Sequence, residues 1–322
     1  MPADALLSID VVVVAFNRSS LTESCVAHLN SQTHPHRLIL CDSGSTDGTA
    51  QRVRALRPDT EIVRSETNRP FSVNCNAGAA AGDGEVIVLI NNDLDCRPDF
   101  LERLVTPLRA DPAIGSVAAL CIRTDGEHID SIGLTTDVTL SGFPRLQGHP
   151  IADAVSARPV LTGPSGTAAA YRRSAWEQVG GLDQNFFAYH EDLDMALRLR
   201  AAGWGAAAAP DAVGMHVGSA SHGHRSASQR RHGGFGRGYV LRRYGLLSSR
   251  SAARSVVTEG LVVIGDGLIS RDLAALRGRI AGWRAARGLS ARARPPEEAV
   301  DRTLTLRDTI SLRRQSYSGE RR

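Results

Sequence analysis

Short polar side chains follow two apolar runs that have the composition of buried strands. Asn91, Asn92 and Asp93 come directly after the run 85–90, and residues 42–49 form a polar loop after the run 37–41. The loops that follow the strands of an open α/β sheet lie at its ligand-binding edge. Oxygen atoms there suit a hard divalent ion that also contacts phosphate. Taken alone, each segment is better explained as a turn or a helix cap.

A third polar segment, residues 189–194, carries Glu191, Asp192 and Asp194 at the predicted start of a helix. The helix dipole favours acidic residues at this end, which is the simpler explanation. Three acids within four residues exceed what capping needs, and a carboxylate held beside a cleft can act as a general base. His216 lies in a short apolar strand, and a lone histidine in such a strand is usually structural.

Alternating strand and helix signals provide the frame for these segments. Strands are predicted at 9–16, 37–41, 61–64 and 85–90, and helices at 19–30, 73–81 and 99–108. This repeat predicts a mostly parallel, Rossmann-like α/β sheet with helices on both faces. Beyond an irregular region at 114–162, strands are predicted at 166–173, 206–209 and 213–217, and helices at 174–179 and 191–202.

The later part of the chain is rich in Arg. We expect a loop or mobile flap at 219–240, where His222, His224 and His232 lie among Arg and Gly and do not suggest a metal site. Arg residues in 225–243 are expected to close over a diphosphate. Residues 257–283 show an amphipathic helical pattern, and the tail from about residue 290 is expected to be partly mobile.

Composition limits the classes of protein. The chain of 322 residues has 42% apolar residues, enough for a sizeable core, and a formal net charge of +4. Five Cys without a C-x-x-C pair suggest neither a zinc site nor a disulfide framework. We read no secretion signal and no run of about eighteen apolar residues, so a cytoplasmic protein is expected.

Six blocks of the sequence, in this order, resemble glycosyltransferase family 2 and its bacterial rhamnosyltransferase-like branch: VVVVAFNR, LCDSGSTDGT, NRPFSVNCNAG, GEVIVLINND, RRSAWEQVGGLDQNFFAYHEDLDMALRLRAAGW and PDAVGMHVGSAS. The resemblance covers roughly residues 8–245 and implies a GT-A fold. It divides the chain into a catalytic domain at 1–245 and a helical extension with an Arg-rich tail at 246–322. The catalytic domain has a nucleotide-binding half (1–112) and an acceptor half (113–245).

The resemblance also implies roles for residues. Eight positions are expected to contact a nucleoside-diphosphate sugar: Ala15, Asn17, Asp42, Ser43, Asn76, Asn91, Asn92 and Asp93. Asp93 and His216 are expected to hold Mg or Mn, and Asp192 is expected to be the general base. Many members have Asp where this chain has Asn91 and Asn92, so Asp95 is a further possible source of a metal-binding oxygen.

These roles imply an inverting, metal-dependent transfer of a sugar from dTDP-rhamnose, a UDP-hexose or UDP-GlcNAc. The acceptor is a hydroxyl of a glycan, a lipid-linked glycan or a small molecule. The resemblance implies that the reaction serves cell-wall or polysaccharide assembly. The alternative is the modification of an antibiotic-like metabolite.

Two alternative functions make different demands on the sequence. A sugar-nucleotide or nucleotidyl transferase should carry a Gly- and Arg/Lys-rich phosphate loop after the first strand, whereas this strand ends in Ala15-Phe16-Asn17-Arg18. A non-catalytic protein could bind anionic surfaces through its Arg-rich later region. Nucleic acid is not expected, because no known module or aromatic stacking platform accompanies the Arg residues. Peripheral membrane contact by 257–283 and a homo-oligomer are left open.

Overall fold

The computed structural model of the protein describes residues 6–217 and 226–318, the last five as backbone only. The described strands are β1 (Ile9–Ala15), β2 (Arg37–Ser43), β3 (Glu61–Ser65), β4 (Val86–Asn91), β5 (Leu94–Cys96), β6 (Ile114–Ile122), β7 (Ile129–Ser131), β8 (Leu134–Thr136), β9 (Gly142–Pro144), β10 (Ala168–Arg172) and β11 (Gly205–His216). The described helices are α1 (Ser19–Asn30), α2 (Thr49–Leu56), α3 (Phe71–Ala81), α4 (Phe100–Ala110), α5 (Arg173–Val179), α6 (Glu191–Ala201), α7 (Ala227–Arg243), α8 (Ala252–Ser270), α9 (Ala274–Ala285) and α10 (Leu306–Ser318).

One central sheet organises the chain, with the strand order β3-β2-β1-β4-β10-β6-β11-β5 and with β7 paired to β6. Strands β3, β2, β1 and β4 are parallel, whereas β10 runs antiparallel to both β4 and β6. Strand β11 returns parallel to β6 and then pairs antiparallel with β5. The predicted α/β class is confirmed. The sheet is parallel in its first half and mixed beyond β4.

Two cores cover the sheet, because β1 and its neighbours are buried on both faces. Val11 and Val13 pack in the core that includes α1 and α4. Val12 points to the other face, where α3, α5 and α6 contribute residues such as Met195. This double burial explains the continuous apolar runs in the sequence. In the parallel register Ala15 is paired with Asp42 and Val14 with Asn91, so the strand ends meet at one edge.

The expectation of a loop at 219–240 is wrong over 227–240, where α7 forms instead; residues 218–225, with His222 and His224, lie outside the described residues. Glycines allow this helix to pack unusually close to α9. A Cβ on Gly238 would lie 2.0 Å from the carbonyl oxygen of Arg279, and one on Gly282 would lie 1.9 Å from that of Phe235. Contact with α9 therefore outweighs the low helix propensity of glycine.

Two other expectations change. The strands predicted at 206–209 and 213–217 are one strand, β11, with an irregularity between Ala209 and Val213. The start of the tail that was expected to be partly mobile packs onto the body of the protein, because Arg292 forms ion pairs with Asp183 and Asp194. Residues 319–322 lie outside the described residues. Among the residues described, no helix has both the length and the apolar character needed to cross a membrane.

Candidate active site

A cleft of about 670 Å³ opens at the edge of the sheet where β4 and β11 end. The start of α6 and the loops around residues 68–71 and 187–190 form its other walls. Strand pairing brings residues distant in sequence to this edge, since His216 of β11 lies opposite Leu94 of β5 in antiparallel register. Asp93 immediately precedes β5 and is therefore a neighbour of His216.

Asp93, His216 and Asp130 form a chain of polar contacts in one wall of the cleft. Oδ1 of Asp93 is buried, accepts no hydrogen bond from the residues that the structure describes, and lies 3.4 Å from Nε2 of His216. Nδ1 of the same imidazole lies 2.8 Å from Oδ2 of Asp130. Burial lowers the pKa of His216, but the carboxylates of Asp130 and Asp93 raise it more strongly, to about 10. The ring is thus fixed by Asp130 with its second nitrogen facing Asp93.

The two asparagines that precede Asp93 also line the cleft. Nδ2 of Asn92 donates a hydrogen bond to Oγ1 of Thr22, at 2.9 Å, which holds the side chain against α1. Asp95 accepts a hydrogen bond from Ser24 of α1 at 2.9 Å and is not among the residues that line the cleft. Asp95, the further possible source of a metal-binding oxygen, is therefore directed elsewhere, and Asp130 is the second acidic residue next to His216.

Ser43 organises the opposite wall. Its hydroxyl donates to Oδ1 of Asn68 at 3.2 Å and accepts from the backbone N–H of Arg69 at 2.8 Å. It also accepts from Nδ2 of Asn74 at 3.0 Å. Ser43, Asn68, Arg69 and Asn74 all line the cleft. Together they offer hydroxyl, amide and guanidinium groups at the ends of β2 and β3.

Asp42, Ala15 and Asn17 lie behind this wall and are not among the lining residues. Asp42 is fully buried, accepts from the backbone N–H of Ser45 at 2.9 Å, and pairs with Arg64 at 3.1 Å. Asn17 donates its backbone N–H to the hydroxyl of Ser45 at 2.8 Å. These contacts fix the shape of the loop 42–49 and join it to the end of β1. The loop therefore supports the wall of the cleft from behind.

Asn76 also lies away from the cleft. Its amide group donates to the carbonyl of Leu182 at 2.8 Å and accepts from the N–H of the same residue at 2.9 Å. Asn74 lines the cleft in its place. Residues two positions apart on a helix point in nearly opposite directions, so only one of the two asparagines can face the ligand.

Two adjacent carboxyl groups begin α6 and border the cleft. Oδ2 of Asp192 accepts from the N–H of Gly166 at 2.9 Å, and Oδ1 accepts from the N–H of Leu193 at 2.7 Å. Burial raises the pKa of Asp192. Oε2 of Glu191 is buried and has no hydrogen-bond partner in the described part of the chain. Burial, followed by the Asp192 charge, raises the pKa of Glu191 to about 8. The cleft therefore combines a carboxylate–imidazole pair with a carboxyl pair.

The model of the family described as glycosyl transferase family 2 matches residues 10–180, more than half of the chain. The chain belongs to glycosyl transferase family 2. The match spans β1 to α5, including Asp42, Asp93 and Asp130. The expected rhamnosyltransferase-like branch is also confirmed by relatives in Mycobacterium tuberculosis, the N-acetylglucosaminyl-diphospho-decaprenol L-rhamnosyltransferases, at 29% identity over 242 residues. The alignment with these relatives covers 68% of this chain and 78% of theirs.

Solved structures agree in fold. The mannosyltransferase PcManGT from Pyrobaculum calidifontis, in complex with GDP-Man and Mn²⁺, aligns with a TM-score of 0.54 at 19% identity, over 90% of this chain and 78% of its own. TarS 1-349 from S. aureus, in complex with UDP-GlcNAc, aligns with a TM-score of 0.53 at 14% identity, over 79% and 72% of the two chains. The GT-A fold is confirmed, and the family match makes the protein a glycosyltransferase.

Proposed function

We propose that this glycosyltransferase acts with inversion, with a divalent Mg or Mn ion held by Asp93 and His216 and with Asp192 as the general base. The observation that carries the proposal is the meeting of the buried Asp93 carboxylate, the His216 imidazole and the Asp192 carboxylate in one cleft. They come from three separated segments of the chain. The sequence of any one of these segments does not show that the three side chains lie close together.

The side chains around Asp93 fit a divalent ion. A buried oxygen of Asp93, to which no described residue donates a hydrogen bond, faces an imidazole nitrogen of His216, and the other nitrogen of that ring is held by Asp130, as is usual for histidines that bind metals. Within the described part of the chain no group of three or more His, Cys, Asp and Glu side chains is arranged for a metal. The remaining ligands would thus be diphosphate oxygens and water. A bound ion offsets the charge that develops on the leaving diphosphate.

Asp192 is suited to accept a proton from the acceptor hydroxyl. Two backbone N–H groups hold its carboxylate in one orientation, and burial raises its pKa, which strengthens it as a base. In a single displacement the acceptor oxygen loses its proton to Asp192 and forms the new bond to the anomeric carbon. The bond to the diphosphate breaks on the opposite side of that carbon, which inverts its configuration.

The donor is proposed to lie along the wall formed by Ser43, Asn68, Arg69 and Asn74, with Asn91 and Asn92 beside the diphosphate. Ala15, Asn17 and Asp42 would support this wall from behind, and Asn76 would anchor α3. The relative named as a rhamnosyltransferase supports rhamnose, carried on dTDP, as the first sugar to test. The same name supports a lipid-linked glycan as the first acceptor, ahead of a small molecule.

A donor screen tests this proposal. Purified protein is mixed with Mn and dTDP-rhamnose, UDP-GlcNAc, UDP-glucose or UDP-galactose, and binding is followed by thermal shift and turnover by nucleotide release. We expect release of the nucleoside diphosphate, loss of turnover in EDTA, and recovery when Mn or Mg is added. Asp93→Ala and His216→Ala should abolish turnover, whereas Asp125→Ala, an exposed carboxylate of the same region, should not. Full turnover in chelator, or release of pyrophosphate, would contradict the proposal.

A further inference from the structure

Helix α8 is oriented with its polar side inward. Its buried residues are Ser255, Thr258, Glu259 and Asp266. Its large exposed residues are all apolar: Val256, Val257, Leu261, Ile264, Leu268 and Ile269. Ile264 is 61% exposed and Leu268 is 76% exposed. A helix on a protein surface normally turns its apolar stripe toward the core, so α8 is inverted with respect to this rule.

Buried ion pairs hold α8 in this orientation. Glu259 pairs with Arg237 of α7 at 2.5 Å and with Arg279 of α9 at 2.7 Å. Asp266 pairs with Arg230 of α7 at 3.1 Å. Arg237 is fully buried, so turning Glu259 outward would leave a buried charge without its partner, at large cost. The apolar face of α8 is therefore a fixed feature of the surface.

The stretch of chain that forms this face and the following helix exposes one sign of charge. Between Arg250 and Leu289, all of which the structure describes, every exposed residue is either Arg or one of Val, Leu, Ile, Ala and Gly. The acidic residues of this stretch are paired with arginines, as Glu259, Asp266 and Asp272 illustrate. An apolar helix face bordered by Arg matches the interface of an anionic bilayer, where apolar side chains enter the acyl boundary and arginines meet phosphate.

A second copy of the chain fits this surface less well. In a twofold contact the same patch faces itself, so the arginines around it would face one another. Asp272, the one acid between Arg250 and Leu289 whose side chain is partly exposed, is already paired with Arg230. Like charges brought together in this way oppose association, whereas anionic phospholipids would attract the same arginines.

We propose that the α8 face, formed by the six exposed apolar residues named above, docks in the plane of an anionic lipid bilayer, with Arg250, Arg271 and Arg277 at the headgroups. Helix α9, which carries Arg277, packs against α7, and α7 contributes Gln229 to the cleft. The docked surface is thus connected to the cleft through one helix. This proposal holds for any donor sugar, so it stands or falls separately from the function proposed above.

Vesicle flotation of the full chain tests the proposal. The protein is mixed with vesicles of phosphatidylcholine alone or of phosphatidylcholine with phosphatidylglycerol, at low and high salt. We expect flotation with the anionic vesicles and weaker flotation at high salt. The triple variant Leu261→Ser, Ile264→Ser and Leu268→Ser should lower partitioning by about a hundredfold or more. Val155→Ser, at a site that is 78% exposed outside this face, is the matched control and should float like the wild type.

A second triple variant tests the arginines separately, so the result does not depend only on the folding of the serine variant. Arg250→Gln, Arg271→Gln and Arg277→Gln keep the apolar face and should remove the preference for anionic vesicles. Circular dichroism and thermal unfolding establish that both triple variants are folded. The proposal is overturned when the wild type does not float, or when the serine variant floats as well as the wild type. It is also overturned when sedimentation reveals a dimer that the serine variant dissociates, because the face then belongs to a second copy.

Discussion

The hydrogen bond between Asp130 and His216 gives a quantitative prediction for Asp130→Asn. Oδ2 of Asp130 lies 2.8 Å from Nδ1 of His216, and the two side chains are only 26% and 13% exposed. A hydrogen bond with a charged partner contributes about 1.5–3 kcal/mol. Because 1.4 kcal/mol corresponds to a tenfold change, the neutral amide should weaken metal-dependent turnover by about 10- to 100-fold.

The assay is the initial rate of nucleoside diphosphate release as a function of Mn concentration, for the wild type and Asp130→Asn. The concentration of Mn that gives half-maximal activation should rise in the variant. The matched control is Asp125→Asn, because Asp125 makes the same contact with His128, at 3.0 Å, on the exposed turn between β6 and β7. An unchanged Mn requirement in Asp130→Asn, or an equal shift in the control, would refute the role of His216 as a metal ligand.

Three further predictions concern the packing and the carboxyl pair. Glu259→Gln should lower the free energy of unfolding by about 3–5 kcal/mol, because it removes the partner of a buried arginine. Glu297→Gln, at a side chain that is 80% exposed, should change it by less than about 1 kcal/mol in the same urea titration. Burial and the Asp192 charge raise the pKa of Glu191 from 4.5 to about 8, so the folded state keeps a proton that the unfolded chain loses in that range. The free energy of unfolding should therefore fall as the pH rises from about 5 to 8, and less steeply in Glu191→Gln; equal slopes would contradict this account. Gly282→Ala should destabilise the protein by about 1–3 kcal/mol, since the added Cβ meets a carbonyl oxygen of α7, whereas Gly260→Ala enters open space and should stabilise it by about 0.5–1 kcal/mol.

The parallel half of the sheet and the edge at Asp93 could be predicted because their signals are local. A strand buried on both faces must be apolar throughout, and the polar residues after it must lie at the edge of the sheet. The acids that begin α6 were found in the same way, from their spacing. The pairing of Asp130 with His216 could not be predicted from local signals, because it depends on the contact of β6 with both β7 and β11.

The orientation of whole helices also depends on distant parts of the chain. A periodic pattern tells which residues of α8 share a face, but it does not tell which face turns inward. Ion pairs of Glu259 and Asp266 with arginines of α7 and α9 decide this. The same holds for Asn74 and Asn76, because the start of α3 and its contact with Leu182 determine which of the two asparagines faces the cleft.

The central claim is that Asp192 removes the proton from the acceptor, and the most direct test compares turnover with donor binding in Asp192→Asn. Asparagine keeps the shape of the side chain but cannot accept the proton. We expect kcat to fall by about 10²- to 10⁴-fold, while calorimetry with the donor and Mn gives a dissociation constant close to that of the wild type. Retained transfer together with lost donor binding would reverse the assignment and make Asp192 a donor-binding residue.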